Sequence, residues 1–323
     1  MNRYYSRIDA IDNIDILSKK VCLEYNLGQF LTTTVIEIGY EDFNAIIETI
    51  NGKYVMKVFR NSRSDNEAYD CIYRTERAGE IGVNTPKVYH NSQGAIMSVI
   101  RIKDSRFKLA LIEYIDGKDF FTMQEKPSIA ELSAIVEIAS KLSLIDYMPS
   151  PIYDPWSIYA FLEEFKKKWK YLSSDQLALI EPIEKDFRKF NEDGRYQLLP
   201  KSFVHGDMMS TNLMRDKNGK IWLIDFSVSN YTVRLHEIVV ICDDVALVKG
   251  KKDESEKRIR YAFTEWCSKV KATGEEREAF PLLFSVANAI NVMNSSYEIS
   301  NGNNSPETKM HLEMGLFGLS LFK

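Results

Sequence analysis

The sequence predicts an α+β protein of two lobes, a small antiparallel β-rich lobe followed by a large, mainly helical one. Three observations predict it. The chain has 323 residues, long for one simple core. Strand-like alternation is concentrated before residue 116. Beyond residue 128 apolar residues recur at helical spacing.

The elements follow in order. Asn13 caps a helix over 13–26, with Ile16, Leu17, Val21 and Leu23 as apolar positions and Gly28 closing it. The period then changes. "TTTVIEIG" alternates, and "NAIIETI" and "KYVMKVF" flank Asn51-Gly52, a strong hairpin signal. Residues 32–60 therefore read as a three-stranded meander. Residues 65–81 return to helical spacing through Ala68, Cys71, Ile72, Thr75 and Gly79. "AIMSVIRI" and "FKLALIEYI" read as two further strands. The lobes divide as 1–115 and 116–323, and a cleft between two such lobes is a natural ligand site. In the second lobe Ser128 and Glu131 fit a capping box. Helices are expected at about 156–172, 175–191, 235–248, 253–272, 276–297 and 306–321, interrupted by short strands over 202–228.

Composition excludes several classes. The chain is 45% hydrophobic and 27% charged with net charge −4, which argues against the basic stripe of a nucleic-acid binder. No apolar run is long enough for a membrane span, and the N-terminal segment lacks the apolar core of a signal peptide. Cys22, Cys71, Cys242 and Cys267 are far apart, as in a reduced cytoplasmic protein. Four scattered histidines make a His/Cys metal site improbable. Oligomeric state is not legible.

The chemistry concentrates in "SFVHGDMMSTNLM" and "WLIDFS". Asp207 lies on a loop after a short apolar strand, where its carboxylate can accept a hydroxyl proton. Asn212 follows five residues later, and Asp225 ends the run "IWLI". An amide oxygen and a carboxylate are hard ligands suited to Mg²⁺ shared with phosphates. Phosphoryl transfer needs positioned reactants, neutralised charge and an oriented nucleophile. In the first lobe Lys57 and Val55 share a strand face, a cation for phosphates beside an apolar cover for a base. The loop "IGYEDFNA" offers Gly39 and Asn44 as phosphate-loop residues. Glu67 could pair with Lys57, and Asp70 and Glu76 are rivals. Backbone near Glu113 and Ile115 could hydrogen-bond an adenine edge.

Taken together, "VMK", "LIEYIDG", "HGDMMSTN" and "LIDFS" resemble the motifs of the aminoglycoside phosphotransferase and choline-kinase-like superfamily, in order and spacing over nearly the whole chain. The resemblance implies a two-lobed protein-kinase-like fold and ATP with Mg²⁺ as cofactors. It implies Asp207 as catalytic base, Asn212 and Asp225 as metal ligands, and Lys57 on the α- and β-phosphates. It implies transfer of the γ-phosphate to a small-molecule hydroxyl acceptor such as an aminoglycoside, sugar, amino alcohol or homoserine. Glu237 stands where the family has an aspartate, in a bracing role. The phosphate loop has one glycine rather than three, "DFS" replaces the "DFG" of protein kinases, and "KLSLID" replaces a Leu-His step. A nucleotide-binding pseudokinase without turnover is the alternative, against which the full set Lys57, Asp207, Asn212 and Asp225 speaks.

Other groups have plainer readings. His205 reads as loop scaffolding. Asp243 and Asp244 read either as a solvated helix end or as acceptor-pocket residues. Trp156, Tyr159 and Trp169 read as core, with an acceptor wall as the alternative. Lys166, Lys167 and Lys168 read as solvated surface.

Overall fold

The computed structural model describes residues 7–8, 13–36 and 42–321. Gly39 lies outside the described residues. Two compact units are present. One comprises 1–117 with 216–227, and the other 118–215 with 228–323. A single cut between 115 and 116 therefore does not describe the division, because the segment carrying Asp225 belongs with the first unit.

The first unit opens with α1 (Ile14–Glu24), capped by the Asn13 side chain on the Asp15 N–H. Its stop is Asn26, at φ 53°, rather than Gly28. The strands β1 (Phe30–Ile36), β2 (Phe43–Thr49) and β3 (Gly52–Val58) form the meander. Thr49 pairs with Gly52, so the hairpin turn is Ile50-Asn51, one residue earlier than the Asn-Gly signal suggests. After α2 (Asp65–Glu80) come β4 (Val88–Tyr89), β5 (Ser98–Ile102) and β6 (Ser105–Glu113). The antiparallel sheet runs β1-β2-β3-β6-β4, with β5 on β6. Strand alternation divides its side chains between two cores. Ala45, Ile47, Met56, Val58, Leu109 and Leu111 pack with Leu17 and Val21 of α1. Ala110 and Ile112 pack with Ala68, Cys71 and Ile72 of α2. Lys57 lies opposite Ala110 in register, so it points to the α2 face. Segment 216–227 joins this unit through Asn84, whose carbonyl accepts from the Leu223 N–H and whose Nδ2 donates to the Ile221 carbonyl.

β7 (Gly117–Asp119) and β9 (Leu213–Asp216) fall at the ends of the second unit's first segment, and β10 (Ile221–Leu223) belongs to the first unit. The second unit holds α3 (Phe120–Met123), α4 (Ile129–Leu142), α5 (Phe161–Lys168) and α6 (Ser174–Glu192). It continues with β8 (Lys201–Val204), paired antiparallel to β11 (Asn230–Val233), and α7 (Leu235–Val240). A π-helical turn follows at Ile241–Ala246, then α8 (Lys252–Lys269), α9 (Gly274–Ser300) and α10 (Pro306–Gly318). The capping box predicted at Ser128 is present, and Ser64, Ser173 and Thr273 start helices the same way. α9 is buried along most of its length and forms the axis of the unit. α10 packs against it closely: a Cβ on Gly315 would stand 2.7 Å from the Asn288 carbonyl oxygen. All four cysteines are buried and unbridged. No helix among the described residues is long and apolar enough to cross a membrane.

Candidate active site

In the first unit, β3 carries Lys57 inward, 5% exposed. Its Nζ donates to Asp225 Oδ1 at 2.7 Å and lies 3.4 Å from Asp42 Oδ2. Burial works against the ammonium, but the Asp225 carboxylate, with Asp42, outweighs it and holds the lysine above its ordinary range. Asp225 adopts φ 62°, a backbone region seldom used outside glycine, and its side chain is 38% exposed. One carboxylate oxygen thus meets Lys57 while the group still reaches solvent. Asp42 is the residue that sequence reasoning missed. It sits just before β2, 5% exposed, and its Oδ1 accepts from the Arg60 N–H at 3.1 Å. Arg63 Nε approaches the same oxygen at 3.6 Å, and Arg63 Nη1 donates to the Ser227 carbonyl at 3.4 Å. A buried network therefore runs from the start of β2 through Lys57 and Arg63 to the "DFS" segment.

The expected partners of Lys57 on α2 are engaged elsewhere. Glu67 closes the capping box of α2, with Oε2 accepting from the Ser64 N–H at 2.6 Å. Its pKa is lowered chiefly by that bond. Asp70 pairs with Arg74 at 3.7 Å and Glu76 with His90 at 2.6 Å. The α2 side chain Cys71 is buried, and burial pushes its thiol up to about 11, so it is neutral. Asn44 lies within β2, opposite Lys57 in register, so it is a strand residue rather than a loop residue. Val55 pairs with Ile112 beside Lys57. The Glu113 N–H donates to the Lys87 carbonyl, and the Ile115 carbonyl accepts from the Gly117 N–H.

In the second unit, β8 delivers the chain into His205-Gly206-Asp207. Gly206 has φ 84°, a turn that an L side chain would strain. His205 is fully buried, its Nδ1 accepting from the Asp207 N–H at 3.2 Å, which fits a scaffolding role. Asn212 Nδ2 donates to Asp207 Oδ2 at 2.7 Å and to the Asp207 carbonyl at 2.9 Å, closing the loop on itself. Two helical carboxylates fasten it from below. Glu237 of α7 accepts from the His205 N–H, and Asp244 Oδ1 accepts from the Ser210 N–H at 2.7 Å. Burial pushes Glu237 up to about 8, against the bonds from the His205 and Gly206 N–H groups.

The surrounding residues depart from their plain readings. Asp243 and Asp244 are buried on the π-helical turn rather than at a solvated end. Trp156 and Trp169 are 39% and 50% exposed, not core. Tyr159 ties its own loop, donating to the Ile152 carbonyl at 2.7 Å. Lys168 is not solvated surface: it is 12% exposed and pairs with Glu164 at 2.7 Å.

Among the described residues no group of three or more His, Cys, Asp or Glu side chains could hold a metal. Asp225 in the first unit carries a carboxylate and Asn212 in the second an amide, each an oxygen donor of the kind Mg²⁺ takes alongside phosphates and water.

The sequence profile of the phosphotransferase enzyme family matches residues 32–266. A homoserine kinase of Bradyrhizobium sp. (strain ORS 278) is 22% identical over 264 residues, 80% of this chain and 77% of that one. Among solved structures, a microcompartment-associated aminopropanol kinase superposes with a TM-score of 0.70 at 11% identity, over 95% of both chains. An amicoumacin kinase in complex with AMP-PNP and Ca²⁺ gives 0.69 at 13% identity, over 96% of this chain and 93% of that one. The fold is thus the two-lobed kinase-like one, and the chain belongs to the phosphotransferase enzyme family as an ATP-dependent small-molecule phosphotransferase.

Proposed function

We propose that the chain moves the γ-phosphate of Mg-ATP to the hydroxyl of a small molecule, with homoserine and short amino alcohols as the first acceptors to test. The observation that carries the reading is Asp207, held by Asn212 on a loop that two buried carboxylates fasten. Homoserine kinases among its relatives, and an aminopropanol kinase among similar structures, support the acceptor class.

In this reading Asp207 accepts the hydroxyl proton as the acceptor oxygen attacks the γ-phosphorus, and the bond to the β–γ bridging oxygen breaks. Asn212 fixes the Asp207 carboxylate through Nδ2, which leaves its amide oxygen as a donor. Asn212 and Asp225 would hold the metal, which would supply neutralisation of phosphate charge. Lys57, kept charged and extended by Asp225 and Asp42, binds phosphate oxygens. Val55 covers the base, and Asn44 lies beside Lys57 on the same sheet face.

The test is ADP formation from Mg-ATP against aminoglycosides, sugars, amino alcohols and amino acids. Acceptor-dependent ADP release that Asp207→Asn abolishes is the expected result. Nucleotide binding without release for any acceptor would favour the pseudokinase alternative. Absence of both binding and hydrolysis would remove the kinase reading.

A further inference from the structure

Ahead of α1, residues 7–8 dock on the first unit where β2 begins and β3 ends. Ile8 is 5% exposed and belongs to the core that holds Phe43 and Val58. Those two residues are the last pair of the β2–β3 ladder. Beyond the ladder's end, Arg7 ties both strands' continuations. Its Nη1 donates to the Asp42 carbonyl at 2.9 Å, and its own carbonyl accepts from the Asn61 N–H at 3.3 Å. A guanidinium bond to a carbonyl is charge-assisted, and so stronger than one between neutral groups.

These ties matter because of what Asp42 holds. Its Oδ1 accepts from the Arg60 N–H at 3.1 Å. Its Oδ2, buried without a hydrogen bond among the described residues, stands 3.4 Å from Lys57 Nζ. Lys57 also meets Asp225 at 2.7 Å. The proposed function gives Asp225 to the metal, so the counter-charge that stays with Lys57 is Asp42. Glu67, Asp70 and Glu76 of α2 are paired elsewhere and do not share that task. The placement of Lys57 then depends on where the Asp42 carboxylate is held. Arg60 fixes the carboxylate through one oxygen, and Arg7 fixes the peptide that carries it.

We propose that Arg7 is a positioning residue for the nucleotide: by clamping the Asp42 peptide to the segment after β3, it holds the carboxylate that aims Lys57 at the phosphates. This rests on the kinase reading above. Arg7 acts through Asp42 and Lys57, so its effect is confined to the phosphate part of the ligand. Adenine and ribose need no lysine and are bound as before. The coupling is reciprocal: a contact that strengthens phosphate binding is itself strengthened when phosphate binds.

The experiment measures adenosine and Mg-ATP affinity by calorimetry in full-length wild type, Arg7→Ala and Arg7→Lys. Arg7→Ala is expected to weaken Mg-ATP binding roughly three- to tenfold, the range of one lost hydrogen bond, and to leave adenosine within about twofold. Arg7→Lys, which keeps a cationic donor, is expected to recover most of the loss. Hydrogen exchange in the wild type supplies a readout that needs no variant. The Asn61 N–H, which donates to the Arg7 carbonyl, should slow with Mg-ATP and not with adenosine. Equal weakening of both ligands in Arg7→Ala would mean that Arg7 only supports the fold of the unit, and would overturn the proposal. So would unchanged Mg-ATP affinity, or a loss that Arg7→Lys does not recover. Should Arg7→Ala fail to fold, an Asn61 amide indifferent to Mg-ATP would overturn it as well. Any of these with a wild type that binds Mg-ATP sinks this proposal alone. A wild type that binds neither Mg-ATP nor adenosine sinks the kinase reading and this one with it.

Discussion

The ammonium of Lys57 lies between the carboxylates of Asp225 and Asp42, and the two differ in exposure: Asp225 reaches solvent, whereas Asp42 is enclosed with Lys57 and Arg63. Removing one partner of a buried charged group leaves the other uncompensated, at about 3–5 kcal/mol. Asp42→Asn is therefore expected to destabilise the protein by that order in urea titration and to raise the KM for ATP. Glu67→Gln should alter the KM for ATP little, since the lost interaction is a helix cap worth about 1 kcal/mol. The reverse ranking would return the lysine-positioning role to α2. Asp207→Asn should lower kcat by roughly 10²–10⁴-fold while calorimetry shows Mg-ATP affinity retained; near-normal turnover would remove the base assignment. The contrast between these residues shows what was legible. Asp207, Asn212 and Asp225 stand out because their spacing along one stretch is itself a pattern. Asp42 gives no such signal, because its partners are charges brought to it by folding. Glu67 was legible after all: Ser64-x-x-Glu67 is the same capping signature as Ser128-x-x-Glu131.

At the scale of elements, one helix and its continuation hold the catalytic loop, through Glu237 in α7 and Asp244 in the π-helical turn. The helix was legible from its period. Its widening was not, because a π-turn is set by what the side chains must reach and leaves the apolar repeat nearly unchanged. Glu237 has a folded-state pKa raised to about 8 by burial. Above the ordinary carboxylate range the folded protein therefore keeps a proton that the unfolded chain has released. The contribution of Glu237 to stability is present at low pH, declines as pH rises toward about 8, and levels off beyond. Glu237→Gln keeps the shape and removes the titration. Its stability relative to wild type should grow across that window in denaturant titrations at stepped pH. Parallel curves would mean that Glu237 titrates normally. The α9–α10 contact makes a second demand on geometry. Gly315→Ala sets a methyl against a backbone oxygen 2.7 Å away and should cost about 1–3 kcal/mol, read as a lower Tm.

At the scale of the molecule, the chain returns to its first unit at 216–227 after leaving it at Gly117. A count of strands and helices in sequence order cannot show this, since the return depends on Asn84 meeting Ile221 and Leu223. Its consequence is that the unit bearing the phosphate lysine also bears Asp225, with Lys57 and Asp225 in contact across 168 positions of chain. A nucleotide bound through the metal should therefore stabilise two segments distant in sequence as one event. Ligand at a hundredfold its Kd adds about 2.7 kcal/mol to the bound state. In hydrogen exchange, Mg-ATP should slow residues 42–63 and 216–227 together. Chelating the metal should reverse most of that protection, because Asp225 then repels the phosphates instead of sharing a cation with them. Asp225→Ala should bind nucleotide with an affinity that no longer depends on Mg²⁺. Protection of 216–227 that persists undiminished under chelation would show that the nucleotide is held without Asp225, and the metal would have to be placed elsewhere.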